Sequence, residues 1–236
     1  MSDPERCLEE FSILEKHPSI EPRYNVTPSQ GVWVLRMLDV GGEKRLDLLR
    51  WGLVRRAGAG SDVAMVRAES LTTRPAFMNA FRARRCLFLA DGFYEWRRAG
   101  KKSFPHYFRR PGGAAFAMAG IWQPAPPTRP GPDEPTIIDA CAVITRPALA
   151  PVEAVHDRMP AIVAPEHHEA WLDPAFADAD ALLGILAADP GFSLESREIG
   201  THVNSPANDD PSCIAPATEA DRRGEQFDLF TRSAAR

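Results

Sequence analysis

The chain has 236 residues, of which 44% are hydrophobic and 25% are charged, and its net charge is −4 at pH 7. This length and composition indicate one globular domain with a sizeable core. The longest apolar runs are far shorter than the roughly 20 residues that a transmembrane helix needs, and the first residues lack the apolar core of a secretory signal. We therefore expect a cytoplasmic monomer.

The four cysteines do not follow the paired spacing of a zinc knuckle or of a disulfide framework. They are Cys7, Cys86, Cys141 and Cys213. The adjacent residues His167 and His168 would point to different faces of a helix and would not chelate one ion together. We expect reduced thiols, no metal and no cofactor.

The first half of the chain predicts a helix, a hairpin, a short strand and a second helix. In chain order these are an amphipathic helix over residues 3–16, hairpin strands over 32–37 and 46–51, a short strand over 63–66, and a helix over 73–85 with Thr73 as its cap. The two hairpin strands flank Gly41-Gly42, which is typical of a turn. Residues 58–61 are glycine-rich and predict a loop.

The second half predicts strands over 86–89, 92–97, 106–109, 115–122 and 140–145, and helices over 148–154, 165–173 and 177–188. Six prolines between residues 124 and 135 indicate an exposed loop. Strands with irregularly interspersed helices predict a single α+β domain, with surrounding helices on a curved, barrel-like, mostly antiparallel sheet. We place this domain at residues 1–216, followed by a polar, mobile tail at 217–236.

Glu95 is a carboxylate in the stretch Ala90–Trp96, between the aromatic residues Tyr94 and Trp96. The hydrophobic pattern predicts that it is buried. Burial raises the pKa of a carboxyl group toward neutrality, which suits a general acid or base, whereas a structural glutamate needs a cationic partner to stay ionised. Both interpretations of Glu95 stay open from this stretch alone.

Two further residues are candidates for chemistry or binding. His156 lies among charged neighbours before an apolar strand, and an imidazole there suits proton transfer; the alternative is a loop histidine that only bonds a backbone carbonyl. Arg67 can hold a phosphate through two hydrogen bonds, or it can pair with Glu69 or Glu95.

Trp51 and Trp33 can stack on a nucleobase, although core packing is the alternative for both. Residues 82–110 carry nine Lys or Arg residues against two acidic ones, Asp91 and Glu95. A basic surface of this kind can hold phosphates, and the alternative is a solvated hairpin.

Eight short segments, taken in order, resemble the SOS-response-associated peptidase (SRAP) family of abasic-site-processing proteins. They are Arg23–Pro28, Arg50–Leu53, Arg67–Ser70, Arg84–Leu87, Gly92–Trp96, Ala119–Trp122, His156–Pro160 and Asn208–Pro211. The resemblance covers about residues 3–216, and its most specific segments are Gly92–Trp96 and His156–Pro160.

This resemblance implies recognition of abasic sites in single-stranded DNA. It also implies a covalent protein–DNA link through an N-terminal cysteine, whose amine and thiol together close a thiazolidine ring with the sugar aldehyde. Glu95 and His156 would then handle protons during ring opening and during formation or reversal of the link. The positions that would line the DNA site are Pro28, Trp51, Arg67, Thr145 and Arg158.

The chain departs from the family pattern at two further positions of the site, Ser2 and Met65. It begins Met1-Ser2 where the family has Met-Cys-Gly-Arg, and a serine hydroxyl is a much poorer nucleophile than a thiol. Cys7 falls within the predicted first helix, so its amine is part of a peptide bond. Met65 replaces the asparagine of the family's Asn-Ala-Arg-Xaa-Glu segment and offers no useful hydrogen bond.

Two functions follow from these observations, and whether the chain is an enzyme stays open between them. One is an active abasic-site-processing enzyme whose start codon lies upstream. The other is a degenerate member that binds single-stranded or junction DNA without a covalent link, in which replacing Arg67 or Arg85 weakens a salt-sensitive affinity. A wider peptidase activity has no Ser-His-Asp or metal arrangement to support it.

Overall fold

A computed structural model describes residues 1–13, 20–53, 62–124 and 139–223. The strands are β1 Gly31–Met37, β2 Lys44–Trp51, β3 Met65–Arg67, β4 Arg85–Ala90, β5 Phe93–Ala99, β6 Lys102–Arg109, β7 Phe116–Pro124, β8 Asp139–Pro147, β9 Arg158–Pro160, β10 Ile162–Val163 and β11 Glu195–Glu198. The α-helices are α1 Pro4–Glu10, α2 Pro75–Ala83, α3 His168–Leu172, α4 Ala179–Ala187 and α5 Glu219–Arg223. Within these ranges, none of the helices has the length and apolar character needed to span a membrane.

The larger sheet has eight strands and curves into a partial ring. Its order is β10-β7-β4-β1-β2-β8-β3, with β9 paired to β8, and a further pairing of β7 with β8 bends the sheet back on itself. Among the described strands, only the β2–β8 and β3–β8 pairings are parallel. A second sheet has the order β11-β6-β5. The predicted α+β fold with a curved, mostly antiparallel sheet is confirmed, although the ring is not a closed barrel.

Strand β4 shows how the core is built on both faces of the larger sheet. All six of its residues are buried, as expected for a strand covered on both sides. Leu87 and Leu89 belong to the apolar cluster that includes Phe81 and Trp171 of the helices. Phe88 belongs to the opposite cluster, together with Phe93 and Phe108 of the smaller sheet. The smaller sheet, which carries Glu95, is therefore fixed to the larger one through an apolar core.

The structure confirms the hairpin and the strands predicted from 86 to 145, and it changes two helix predictions. The helix predicted over 148–154 is only a 3₁₀ turn at Val152–Ala154. Helix α2 begins at Pro75, with Arg74 in the cap position, because proline suits the first helical turn and keeps the residue before it extended. The Thr73 hydroxyl instead donates to the Glu69 carbonyl oxygen (3.1 Å).

The folded chain continues past the boundary predicted at residue 216. Ala217 is buried, and its N–H donates to the Glu198 carbonyl oxygen (3.1 Å). The Asp221 carboxylate accepts from the N–H groups of Thr218 (2.9 Å) and Thr201 (3.2 Å). The predicted glycine-rich loop, most of the proline-rich loop and the rest of the predicted tail lie outside the described residues.

Candidate functional site

Glu95 and His156 meet although they belong to different parts of the fold. Glu95 lies in β5, and His156 precedes β9 in the loop after the Val152–Ala154 turn. The distance from Glu95 Oε2 to His156 Nδ1 is 3.5 Å, and the side chains are 18% and 42% exposed, respectively. The pair is therefore partly desolvated and open to a ligand on the imidazole side.

His156 Nδ1 has partners for both protonation states of the ring. The Arg158 N–H donates to Nδ1 at 3.2 Å when the ring nitrogen is unprotonated. A protonated Nδ1 lies 3.1 Å from the Arg158 carbonyl oxygen, to which it can donate, and also faces Glu95. Nδ1 therefore has a hydrogen-bond partner whether it acts as acceptor or as donor.

The pKa of Glu95 is raised above its ordinary value, chiefly because burial disfavours the charged carboxylate. The neighbouring His156 acts in the opposite direction, and the negative charge of Asp157 adds to the increase. A carboxyl group that keeps its proton toward neutral pH can act as a general acid and, once ionised, as a general base. Glu95 has the environment that this chemistry needs.

The aromatic residues beside Glu95 face away from it. Side chains alternate along a strand, so Tyr94 and Trp96 point to the side of β5 opposite Glu95. There the Tyr94 hydroxyl donates to the Tyr24 carbonyl oxygen (2.5 Å), and Trp96 Nε1 donates to Asn204 Oδ1 (2.8 Å). The predicted burial of Glu95 is found, with its side chain 18% exposed, but the two aromatics next to it in sequence do not flank its carboxylate.

Arg158, two residues after His156, is bound by the carboxylate of Glu69. Its guanidinium makes two hydrogen bonds to Glu69, of 2.7 and 2.9 Å, and a third to the Thr145 carbonyl oxygen (2.6 Å). Arg158 lowers the pKa of Glu69 below its ordinary value by bonding to the ionised form. Sequence reasoning missed this pair, because it considered Glu69 only as a partner for Arg67.

Arg67 and Met65 lie on the outer strand of the larger sheet, next to Thr145. Strand β3 runs parallel to β8, with Arg67 opposite Thr145. Both Arg67 and Met65 are exposed, and Met65 is 56% exposed despite its apolar side chain. Two residues apart on one strand, they face the same side. Arg67, Thr145 and Arg158 are thus brought together by β3, β8 and β9.

Pro28 and Trp51 are adjacent, but the Trp51 ring is not a free stacking platform. Pro28 is exposed in a turn, and the N–H of the next residue, Ser29, donates to the Trp51 carbonyl oxygen (2.7 Å). The Trp51 ring is half-buried, donates from Nε1 to the Ala64 carbonyl oxygen (2.8 Å) and packs edge-on against Phe88. Only its outer part is available to a ligand.

Arg85 does not lie at the surface, which corrects the expectation that it contacts DNA. Its side chain is only 1% exposed. The guanidinium donates to backbone carbonyl oxygens at the end of α2 and after α3, including those of Phe81 (2.8 Å), Trp171 (2.5 Å) and Phe176 (2.9 Å). Burial lowers its pKa to about 10. Arg85 joins two helices to β4 and cannot reach a ligand.

The beginning of the chain is bound at Asp91. The Ser2 N–H donates to Asp91 Oδ2 (2.6 Å), and the Ser2 hydroxyl donates to the same oxygen. The Met1 amine lies 3.5 Å from Asp91 Oδ1 and donates to the Arg23 carbonyl oxygen (2.8 Å). Asp91 precedes β5 and Glu95 lies four residues further along, so the amine is placed at Asp91 and not at the Glu95–His156 pair.

None of the four cysteines is exposed. Cys86, Cys141 and Cys213 are fully buried, and Cys7 is 1% exposed within α1. Burial raises the pKa of the Cys7 thiol to about 12, which keeps it protonated and unreactive at neutral pH.

The comparisons with known proteins agree with this fold. The model of the SOS response associated peptidase (SRAP) family matches residues 1–206. The abasic site processing protein YoqW of Bacillus subtilis is 32% identical over 220 residues, which cover 90% of this chain and 95% of that protein. The abasic site processing protein HMCES of Xenopus tropicalis is 26% identical, over 86% of this chain and 69% of that protein.

A solved structure of a phage-related protein from Bordetella bronchiseptica superimposes with a TM-score of 0.65 at 25% identity, covering 84% of this chain and 91% of that one. These matches define the class as abasic-site-processing proteins with an SRAP fold. The chain belongs to the SRAP family.

Proposed function

We propose that the protein binds abasic sites in single-stranded DNA and handles protons on the abasic sugar through Glu95 and His156. The observation that carries this proposal is the 3.5 Å approach of the Glu95 carboxylate to the imidazole. The names of the related proteins support abasic DNA as the ligand. We further propose that it acts in the cytoplasm, on nucleoid DNA.

The chemistry of an abasic sugar suits this pair. The sugar interconverts between a closed hemiacetal and an open aldehyde, and opening transfers a proton from the anomeric hydroxyl group to the ring oxygen. A carboxyl group whose pKa is raised by burial can give a proton, and the neighbouring imidazole can take one. Because their facing atoms are 3.5 Å apart, one hydroxyl group bound beside the pair could contact both.

The phosphates of the strand would bind beside the pair. Arg67 is exposed, and it lies opposite Thr145, whose carbonyl oxygen accepts a hydrogen bond from Arg158. Glu69 occupies the guanidinium of Arg158 with two carboxylate oxygens, in the geometry that a phosphate would adopt. A DNA phosphate would compete with Glu69 for Arg158, and binding would be sensitive to salt.

The placement of the nucleophiles favours binding without a stable covalent link. All four thiols are buried, and the Met1 amine and Ser2 are bound at Asp91. The retained Glu95–His156 pair favours the second candidate, a covalent abasic-site-processing activity. That activity requires a nucleophile to reach the Glu95–His156 pair. A thiol would have to leave its buried position, or the Met1 amine or Ser2 would have to leave Asp91.

Intact-mass measurement separates the two candidates. The protein is mixed with single-stranded DNA that carries one abasic site, and with the same DNA carrying a tetrahydrofuran analogue that cannot open to an aldehyde. We expect a complex with abasic DNA in a gel-shift assay and no adduct in denaturing mass spectrometry. A stable adduct would support the covalent candidate, and equal weak retention of abasic DNA and an unrelated acidic polymer would refute both.

A pair of histidine variants links the binding to the site. His156→Gln should reduce the preference for abasic DNA over the tetrahydrofuran analogue. His167→Gln, which changes a histidine outside the site, should leave that preference unchanged.

A further inference from the structure

A second cluster of titratable side chains lies outside the Glu95–His156 site, in the chain that follows β11. His202 is in the 3₁₀ turn Thr201–Asn204, Asp210 caps the 3₁₀ turn Pro211–Ile214, and Cys213 lies within that turn. One potential metal-binding atom from each residue lies within 4.8 Å of the other two. We propose that His202, Asp210 and Cys213 bind a divalent transition-metal ion, for which Zn²⁺ is the best-matched species.

The local backbone explains why these side chains converge. Residues three apart in a 3₁₀ turn project to the same side, and the Cys213 N–H closes the turn on the Asp210 carbonyl oxygen (3.0 Å). One Asp210 oxygen accepts from the Ser212 N–H (2.8 Å). The other oxygen lies 2.9 Å from His202 Nε2. The Asp210 carboxylate therefore points one oxygen toward the His202 imidazole. It also projects to the same side of the turn as the Cys213 thiol.

The ligand types and distances suit Zn²⁺ with a small closing movement. Thiolate, imidazole and carboxylate are the zinc ligands found in proteins, at about 2.0–2.3 Å from the ion, so that ligands around one ion lie about 3.5 Å apart. His202 Nε2 and the nearer Asp210 oxygen, now 2.9 Å apart, would separate by roughly 0.5 Å around an ion, and the Cys213 sulfur, within 4.8 Å of both ligand atoms, would approach by up to about 1 Å. A softer or borderline ion is favoured over Mg²⁺ or Ca²⁺ because one ligand is sulfur.

The burial of the three residues defines an entry path. Cys213 is buried, Asp210 is half-buried and His202 is exposed, so an ion can enter from the imidazole side. The fourth coordination position would face solvent. Binding requires the thiol to lose its proton. Uptake of Zn²⁺ should therefore release a proton to solvent and become stronger as the pH rises.

The cluster is connected to the segment that leads to Pro28. The Asn208 carbonyl oxygen lies 3.5 Å from the Cys213 sulfur and accepts from Asn25 Nδ2 (3.0 Å). The adjacent Asp209 accepts from the Asn25 N–H (2.8 Å). An ion bound at the cluster would therefore hold the loop that fixes this segment. The proposal departs from the expectation of no metal, which considered the spacing of cysteines and a histidine pair but not one cysteine with His and Asp.

Cobalt substitution gives a direct readout of the sulfur ligand. The full-length protein, reduced with a phosphine and freed of metal by a chelator, is titrated with CoCl₂ and then with ZnCl₂. We expect one equivalent of Co²⁺ to bind with a sulfur-to-cobalt charge-transfer band in the near-ultraviolet. Zn²⁺ should displace the Co²⁺ and abolish the band.

Three variants identify which residues bind the ion. The test does not depend on any single variant, because a ligand at a buried position and one at an exposed position are both changed. Cys213→Ser should abolish the band, and His202→Gln, at an exposed position, should weaken Zn²⁺ affinity by about tenfold or more without loss of the circular dichroism spectrum. Cys7→Ser, a matched change of another buried cysteine, should leave the band intact. Absence of a charge-transfer band in the parent protein, or weak binding unchanged by His202→Gln, would overturn the proposal.

Discussion

At the residue scale, the Glu95 carboxyl group is subject to opposing influences on its pKa. Burial and Asp157 raise it, and His156 lowers it, with a net increase. An acid whose pKa is higher in the folded state than in the unfolded state stabilises the fold most below its ordinary pKa. That contribution is lost as the pH rises through the folded-state pKa.

Replacing Glu95 by the uncharged glutamine should therefore stabilise the protein at neutral pH while it removes the proposed proton-handling group. We expect the free energy of unfolding of Glu95→Gln to exceed that of the parent at pH 7, and the difference to shrink as the pH falls through the raised pKa of the folded state and to level off below 4.5, the ordinary pKa. Urea unfolding of both proteins across this range measures the difference. A difference that does not vary with pH would show that the carboxylate is not destabilised by its surroundings.

Glu69 is a second residue for which one substitution is informative. Because its carboxylate occupies Arg158, Glu69→Gln should free the guanidinium for phosphate and strengthen binding of single-stranded DNA. We expect a gain of up to about fivefold, since an exposed ion pair contributes about 0.2–1 kcal/mol. Fluorescence anisotropy at several salt concentrations measures the affinity.

Glu153→Gln is the matched control for this change. It removes one negative charge at another exposed position. Equal gains from Glu69→Gln and Glu153→Gln would mean that only net charge matters and that Arg158 is not a phosphate ligand.

At the element scale, strand β4 is tied to α2 and α3 by a single cation. The buried Arg85 guanidinium satisfies backbone carbonyls at the ends of these helices, such as those of Phe81 and Trp171, which have no helical partner of their own. The same segment, Arg84–Leu87, was part of the family resemblance. Its role is to join elements, and sequence alone did not separate that role from DNA binding.

Arg85→Ala should destabilise the protein severely. A buried carbonyl left without a partner costs about 1–3 kcal/mol, so we expect the free energy of unfolding to fall by about 3 kcal/mol or more. Arg82→Ala, at an exposed position in the same segment, should change it by less than about 0.5 kcal/mol. Similar small effects of both substitutions in thermal or urea unfolding would contradict the joining role of Arg85.

Strands were predicted more successfully than helices, for a physical reason. A strand such as β4 is recognisable because its short apolar run must be buried on both faces. The sequence around 148–154 permitted a helix, but the chain there forms only a short turn. The Ala148 N–H donates to the Asp157 carbonyl oxygen (2.9 Å), which brings the chain back so that β9 pairs with β8. In this segment tertiary packing decided the outcome, not local propensity.

At the scale of the whole molecule, curvature of the larger sheet depends on close approach of β4, β7 and β8. A methyl group at Gly120 of β7 would lie 2.4 Å from the Phe88 ring and 3.0 Å from the Ala142 carbonyl oxygen. Gly120 belongs to the segment Ala119–Trp122 that resembles the family. A glycine in a strand interior often marks such an approach.

Two glycine substitutions test this packing. Gly120→Ala should lower the free energy of unfolding by about 1–3 kcal/mol, because it overpacks the core. Gly184→Ala, in helix α4 with nothing within 4 Å of the added methyl, should raise it by up to about 1 kcal/mol, because alanine favours a helix. If Gly120→Ala also stabilised the protein, the close approach of the strands would be refuted.

The sequence by itself determined the α+β class and the strands of the core, and it selected Glu95 and His156 as candidate site residues, because apolar patterning and ordered motifs are local properties of the chain. Only the tertiary structure decided what each charged side chain faces. It buried Arg85 among carbonyls, paired Arg158 with Glu69, turned Tyr94 and Trp96 away from Glu95, and placed Ser2 at Asp91. Charged groups take partners that are distant in sequence, and the strength of those interactions depends on burial, which only the packed molecule defines.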